Sequence, residues 1–200
     1  MMKSNSSPLD IIVYGGPGSG KSTQAEFLIE EFKAKHLNMG GLLRNVIAKK
    51  LSGYKDTEPY VNAGKLVPEK ISSKLVRNFV KDSPKSKRII FDGYPRRRLQ
   101  ISYLEKIQKE FGRKAIMVFV DLPAKVAKDR LISRAKIEGR KDDADPKIVG
   151  ERIAVFKKQS EKVLDYYKKH GRLIVVNGDQ TINGVKKDIF KNVKEYEYNY

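Results

Sequence analysis

The chain has 200 residues, of which 40% are hydrophobic and 33% charged, with a formal net charge of +18 and no cysteine. That is enough apolar material for one hydrophobic core under a heavily charged surface. The missing cysteines exclude disulfides, thiolate zinc sites and a cysteine nucleophile, and no apolar run approaches the length of a membrane-spanning helix.

Met1–Pro8 is short and polar and reads as a disordered lead-in without a signal-peptide stretch, and the absence of cysteine fits a cytoplasmic protein. Leu9–Tyr14 is an apolar run ending in glycines, the pattern of a buried strand. After Lys21, residues Ala25, Leu28, Ile29 and Phe32 recur at helical spacing. Residues 36–38 form a candidate second strand and Gly40–Lys50 a helix. Residues 52–66 read as irregular, with Gly53, Pro59 and Gly64 as breakers. Pro68 opens a helix through about Val80, in a first turn where its missing N–H is harmless. Arg88–Phe91 and Ala115–Val120 are strands without alternation, as expected where helices cover both faces of a parallel sheet. Pro123–Arg134 is a helix and 135–145 a polar loop. Ile148 or Val149, Ile153, Phe156, Val163, Leu164 and Tyr167 mark a long helix. Leu173–Val176 is a fifth strand, and Ile182, Val185, Ile189 and Val193 mark a last helix. Strands alternating with helices imply βαβ units, hence an α/β fold with three α/β/α layers around a five-stranded parallel sheet.

Gly15-Gly16-Pro17-Gly18-Ser19-Gly20-Lys21-Ser22 matches the phosphate-binding P-loop pattern, between a predicted strand and a predicted helix. The glycines let backbone N–H groups converge on phosphate oxygens, and the following helix presents its positive end to the same anion. Lys21 supplies a mobile charge for the terminal phosphates, and Ser22 a hydroxyl suited to Mg²⁺. Asp92 ends the Arg88–Phe91 strand, where a carboxylate can reach a metal through water; a turn-initiating role before Gly93 is the other reading of that residue alone. The two histidines, His36 and His170, lie far apart in the chain and are expected at the surface or a sheet edge. The surplus lysines are scattered, as on a solvated face.

The P-loop continues Lys21-Ser22-Thr23-Gln24, and Asp92-Gly93-Tyr94-Pro95-Arg96 follows about 70 residues later. Together these segments resemble the adenylate kinase family of nucleoside monophosphate kinases, over about residues 9–195. The resemblance implies a single kinase domain over 1–200, with a small monophosphate-binding segment at about 39–80 and a short lid at about 134–141. It implies Mg-dependent, reversible phosphoryl transfer from ATP to AMP, without zinc, by a monomer that binds neither membrane nor nucleic acid.

Residue by residue, the resemblance assigns ATP binding to Gly16, Pro17, Gly18, Ser19, Gly20, Lys21, Ser22, Thr23, Arg130 and Gly178. Gly40-Gly41-Leu42-Leu43-Arg44 is similar to the family's Thr-Gly-Asp-x-Leu-Arg, so Arg44 and Arg96 would clamp the acceptor phosphate. Lys65, Leu66 and Val67 match a stretch lying against the acceptor base, where Met39, Gly40 and Gly93 also fall. Gln100 matches a glutamine that reads adenine, since an amide donates and accepts at once. Lys21, Arg96, Arg130, Arg134, Arg140 and Arg152 would stabilise the transferred group, with Arg140 and Arg152 also reaching the acceptor. Ser22 and Asp92 would serve Mg²⁺, directly or through water.

The chain departs from the family's pattern at Met39 and Gly41, which replace a threonine and an aspartate, and at Ser22, where glycine is usual. Three other readings stay open: a UMP/CMP-type kinase, which Met39 motivates; an RNA-associated P-loop NTPase, which the +18 charge and Gly41 motivate; and a degenerate, non-catalytic nucleotide binder.

Overall fold

The computed structural model describes residues 8–63, 65–138 and 145–199, with the backbone alone at 136–138. Of the expected N-terminal lead-in only Pro8 is described. Gly64 and residues 139–141 of the expected lid, Arg140 among them, lie outside the described residues.

Five strands, β1 (Asp10–Tyr14), β2 (Lys35–Asn38), β3 (Ile89–Asp92), β4 (Ala115–Asp121) and β5 (Leu173–Asn177), form one sheet in the order β2-β3-β1-β4-β5. Every pair is parallel. The described residues hold eight helices: α1 (Lys21–Phe32), α2 (Met39–Ala48), α3 (Tyr54–Asn62), α4 (Glu69–Lys81), α5 (Arg98–Phe111), α6 (Ala124–Glu138), α7 (Pro146–Lys169) and α8 (Ile182–Asn199).

Strand alternation divides the core. Ile11, Val13, Ile116 and Val118 pack with Ala25 and Leu28 of α1 and with Val185, Ile189 and Val193 of α8. Ile12, Tyr14, Phe91 and Met117 pack on the opposite face with Val76 and Val80 of α4, Ile101 and Leu104 of α5, and Val163 and Tyr167 of α7. The three-layer α/β/α reading therefore holds, and near-continuous apolar strands follow from burial on both faces.

The strand order places the site. From β1 the chain passes by α1 to β2, on one side; from β3 it crosses by α5 to β4, on the other side of β1. The two connections leave adjacent strands in opposite directions, which opens a crevice at their carboxyl ends, the usual ligand position in such sheets. The P-loop follows β1 and Asp92–Arg96 ends β3, so both sequence signatures border that crevice.

Two expectations change, one open choice is resolved and one helix is new. Residues 52–66 are not irregular throughout: Tyr54–Asn62 is helical, started by Gly53 at φ 84°, with Thr57 Oγ1 donating to the Gly53 carbonyl at 2.8 Å. Pro59 lies past the first turn, where it removes a single intrahelical bond, too little to abolish the helix. The predicted loop at 135–145 begins later, because α6 continues through Glu138. Of the two candidates in the long helix, Val149 is buried and Ile148 exposed. Helix α5 has no counterpart in the sequence reading; its signal is Ile101, Leu104 and Ile107, buried at three-residue steps behind the Asp-Gly-Tyr-Pro-Arg segment.

One buried ion pair supports the end of the sheet remote from the crevice. Asp10 accepts from both Nε and Nη2 of Arg113, at 2.8 and 2.7 Å, and from the Ile89 N–H at 2.7 Å. Arg113 also donates to the Lys87 carbonyl at 2.6 Å, so the charges are surrounded by hydrogen bonds as burial demands.

Candidate active site

Gly15–Gly20 turns the chain from β1 into α1 with Gly18 and Gly20 at φ 78° and 80°. At Gly18 a Cβ would lie 2.7 Å from the Ala127 carbonyl of α6, so both conformation and space require glycine. At Gly16 a Cβ would meet the Phe156 ring of α7 at 3.0 Å. The loop is thus seated directly on α6 and α7, the helices that flank the expected lid.

Lys21 opens α1 and is half-buried. Burial lowers its ammonium to about 8; Arg96, Arg134 and Arg152 push it the same way, and Asp92 opposes them. Mutual repulsion of this kind requires closeness. Arg96 of the β3–α5 turn, Arg134 of α6 and Arg152 of α7 are thus near enough for their charge to act on the P-loop lysine, a positive field suited to a polyanion. Arg96, exposed at the crevice, feels the attraction of Asp92 and the repulsion of Arg152.

Gly93, at φ 82°, fixes Arg96: a Cβ there would stand 3.0 Å from Arg96 Nη2 and 3.7 Å from Met39 Cβ. Arg96 Nε donates to the Gly93 carbonyl at 3.0 Å. Gln100 is 3% exposed, and its Oε1 accepts from the N–H groups of Arg96 and Arg97 at 2.7 and 3.3 Å. Its amide thereby holds the turn that carries Arg96. Tyr94, joined to Pro95 by a cis bond, shares a hydrogen bond with Ser73 at 3.1 Å and donates to the Gln100 carbonyl at 3.2 Å, which ties α4 to the same turn.

Asn38 caps α2 by accepting from the Gly41 N–H at 2.9 Å. Arg44, one turn along α2, lies over Gly40, where a Cβ would be 3.3 Å from its Nη1. Met39 is buried against Gly93, Val67 is buried, Leu66 is partly covered and Lys65 is exposed. On the far side, Arg130 Nη2 donates to the Gln180 carbonyl at 3.4 Å and stands 4.0 Å from the Asp179 carboxylate. It faces the loop after β5, whose Gly178 N–H donates to the Asp121 carbonyl at 2.6 Å. Arg134 and Arg152 act on the charge of Lys21, and Arg130 contacts the loop that carries Gly178. Thr23 is half-buried in the first turn of α1. Arg140 lies outside the described residues.

Ser22 Oγ donates to Asp92 Oδ2 at 2.9 Å, joining the two residues expected to serve a metal. A hydroxyl and a carboxylate are hard oxygen donors that suit Mg²⁺. No group of three or more His, Asp or Glu side chains gathers among the described residues. The donor set fits an ion carried by phosphate oxygens and water and steadied by two protein groups. His36 lies on edge strand β2, as expected, with Nε2 4.0 Å from Asp92 Oδ2.

Sequence reasoning missed Tyr14, Asn38 and Phe156. Tyr14 was readable: period-two alternation puts it on the face of Ile12, at the strand end where the P-loop starts. Asn38 carries the signal of a helix cap three residues before Gly41. The nearness of Phe156 to Gly16 has no local signal.

An adenylate kinase family model matches residues 13–172. The chain is 33% identical over 186 residues to an adenylate kinase of Bacteroides fragilis, covering 92% of this chain and 98% of that protein. It is 32% identical over 188 residues to an adenylate kinase of Phocaeicola vulgatus, covering 94% and 99%, and 33% identical over 180 residues to one from a Synechococcus species, covering 90% and 93%.

Proposed function

This chain belongs to the adenylate kinase family, and we propose from that premise that it transfers the terminal phosphoryl group of ATP reversibly to AMP, giving two ADP. The observation that carries the reading is the convergence of Arg96, Arg134 and Arg152 on Lys21 at the mouth of a P-loop.

An oxygen of the AMP phosphate attacks the γ-phosphorus in line; a new P–O bond forms as the bond to the β–γ bridging oxygen breaks. The acceptor phosphate is already largely deprotonated at neutral pH, its second pKa being about 6, so the step needs no general base. What it needs is alignment and cancellation of charge. The P-loop N–H groups and Lys21 hold the ATP phosphates. Arg134 and Arg152, whose charges act on Lys21, would stabilise the transferred group, and Arg96 would serve both that group and the acceptor. Arg44 and Arg96 clamp the acceptor phosphate as guanidinium forks. Arg130 and the Gly178 loop receive the ATP base and ribose side. Ser22 and Asp92 would steady Mg²⁺, which supplies charge neutralisation on the ATP phosphates.

Met39, Val67 and the Gly93 turn form the acceptor-base wall, with Lys65 and Leu66 at its rim and Gln100 presenting its amide. In this structure that amide binds the turn backbone through Oε1 and donates one Nε2–H to Ser72 Oγ at 3.5 Å, so its second Nε2–H is what it has to offer a base. Arg140 is assigned to the closing lid. Residues 39–80 and 134–141 close over the substrates and exclude water.

The test is ADP formation from ATP with AMP, CMP, UMP or GMP as acceptor. AMP should be favoured. A clear preference for a pyrimidine monophosphate would overturn the base assignment, and an ATPase rate indifferent to AMP would overturn the transfer itself.

A further inference from the structure

Tyr14 is the last residue of β1, and Gly15 begins the phosphate loop. Its ring is fixed from two sides: Phe119, its register partner on β4, at 6.1 Å, and Phe156 of α7 at 5.5 Å between centroids. The residue is 5% exposed. Packing alone would be met by phenylalanine, the residue type that already supplies both neighbours, and a phenol oxygen in such a wall is unfavourable unless it finds a partner.

Among the described residues no protein group hydrogen-bonds the Tyr14 hydroxyl. Other buried tyrosines behave differently. Tyr94 is bonded to Ser73 and Gln100, and Tyr167 holds a sealed hydroxyl with no partner. The Tyr14 oxygen is not among the sealed atoms, so the little exposure this side chain retains includes its hydroxyl. It opens at the carboxyl edge of the sheet, on the face of Met39 and Tyr94, and Arg96 is the cation that acts on it.

We propose that the Tyr14 hydroxyl is a substrate contact, donating a hydrogen bond to a nonbridging oxygen of the acceptor phosphate that Arg96 holds. The inference rests on the phosphoryl-transfer reading above and adds a residue to it. The phenol suits the task because it is a donor on a rigid mount. Strand β1 and two aromatic rings fix its direction, so little freedom is lost on binding. Burial raises its pKa, against the opposing effect of Arg96, so it keeps its proton throughout the neutral range. It stands beside the acceptor clamp and before the first P-loop glycine, where donor and acceptor phosphates meet.

The test is Tyr14→Phe, which removes one oxygen and keeps the ring. Loss of a hydrogen bond to a charged group predicts kcat/KM for AMP lower by about tenfold or more, with KM for ATP within about twofold of wild type. Unfolding temperature should hold within about 2 °C, since the ring packing is kept. A variant within about twofold of wild type toward AMP, while wild type produces ADP, overturns the contact and leaves the kinase reading standing. If wild type shows no AMP-dependent ADP formation, the kinase reading fails instead. The contact is then judged by calorimetric AMP affinity, where equal dissociation constants for wild type and Tyr14→Phe overturn it and weaker binding by the variant sustains it. That affinity, measured on natively folded protein, also decides the matter should the variant prove less stable.

Discussion

The lowered pKa of Lys21 makes a pH profile the sharpest probe of the site. With its ammonium at about 8 in the free protein, the charged fraction falls from about 0.9 at pH 7 to about 0.1 at pH 9. Because kcat/KM reports the free enzyme, kcat/KM for ATP should fall about tenfold between those two values. A lysine at its ordinary value of 10.5 would stay almost fully charged across that range, and the profile would be flat. ATP brings the anionic charge that reverses the depression, so binding at about pH 9 should take up close to one proton. Titration calorimetry in two buffers of different ionisation enthalpy reads that uptake directly. The repulsion has named sources, so Arg152→Gln should move the alkaline limb upward, and Lys21→Arg, weaker throughout, should lose it. The stability sign is separate: between about 8 and 10.5 the unfolded chain holds more of this proton than the folded one, so this group's contribution to stability rises with pH there. A flat kcat/KM to about pH 9.5, or an identical limb in Lys21→Arg, would refute the electrostatic reasoning.

Asp92→Asn should raise the Mg²⁺ concentration needed for half-maximal rate by about tenfold, because Ser22 loses its carboxylate acceptor and the ion its nearby charge; a Mg²⁺ titration at fixed ATP checks this. Gly18→Ala forces a Cβ to 2.7 Å from the Ala127 carbonyl at φ 78°, so it should cost about 2–4 kcal/mol of stability and raise KM for ATP, by denaturant melts and steady-state rates. Arg113→Ala strands Asp10 as a buried unpaired charge and should cost about 3–5 kcal/mol in urea unfolding, with Asp10→Asn added to it recovering part of the loss.

Much of this protein was legible in its sequence. The P-loop glycines, Lys21 and the Asp92–Arg96 segment carry local signals, since backbone turns and phosphate cradles demand particular residue types at fixed spacing. The apolar runs at 9–14, 88–91 and 115–120 marked strands that the fold sets at 10–14, 89–92 and 115–121, because burial on both faces leaves no room for alternation. Helix α3 buries only Thr57 and contains Pro59, so it carries little apolar signal, whereas α5 carries one in Ile101, Leu104 and Ile107. Tertiary structure alone decided which cations meet: Arg134 and Arg152 come to Lys21, whereas Arg130, four residues before Arg134, faces the Gly178 loop. Sequence spacing places residues on a helix face, but the destination of a guanidinium depends on which elements pack against that face. The same holds for Tyr14, whose ring becomes a mount only when α7 brings Phe156 across the sheet to meet it. Local chemistry is written along the chain; convergence of distant side chains is a property of the packed fold.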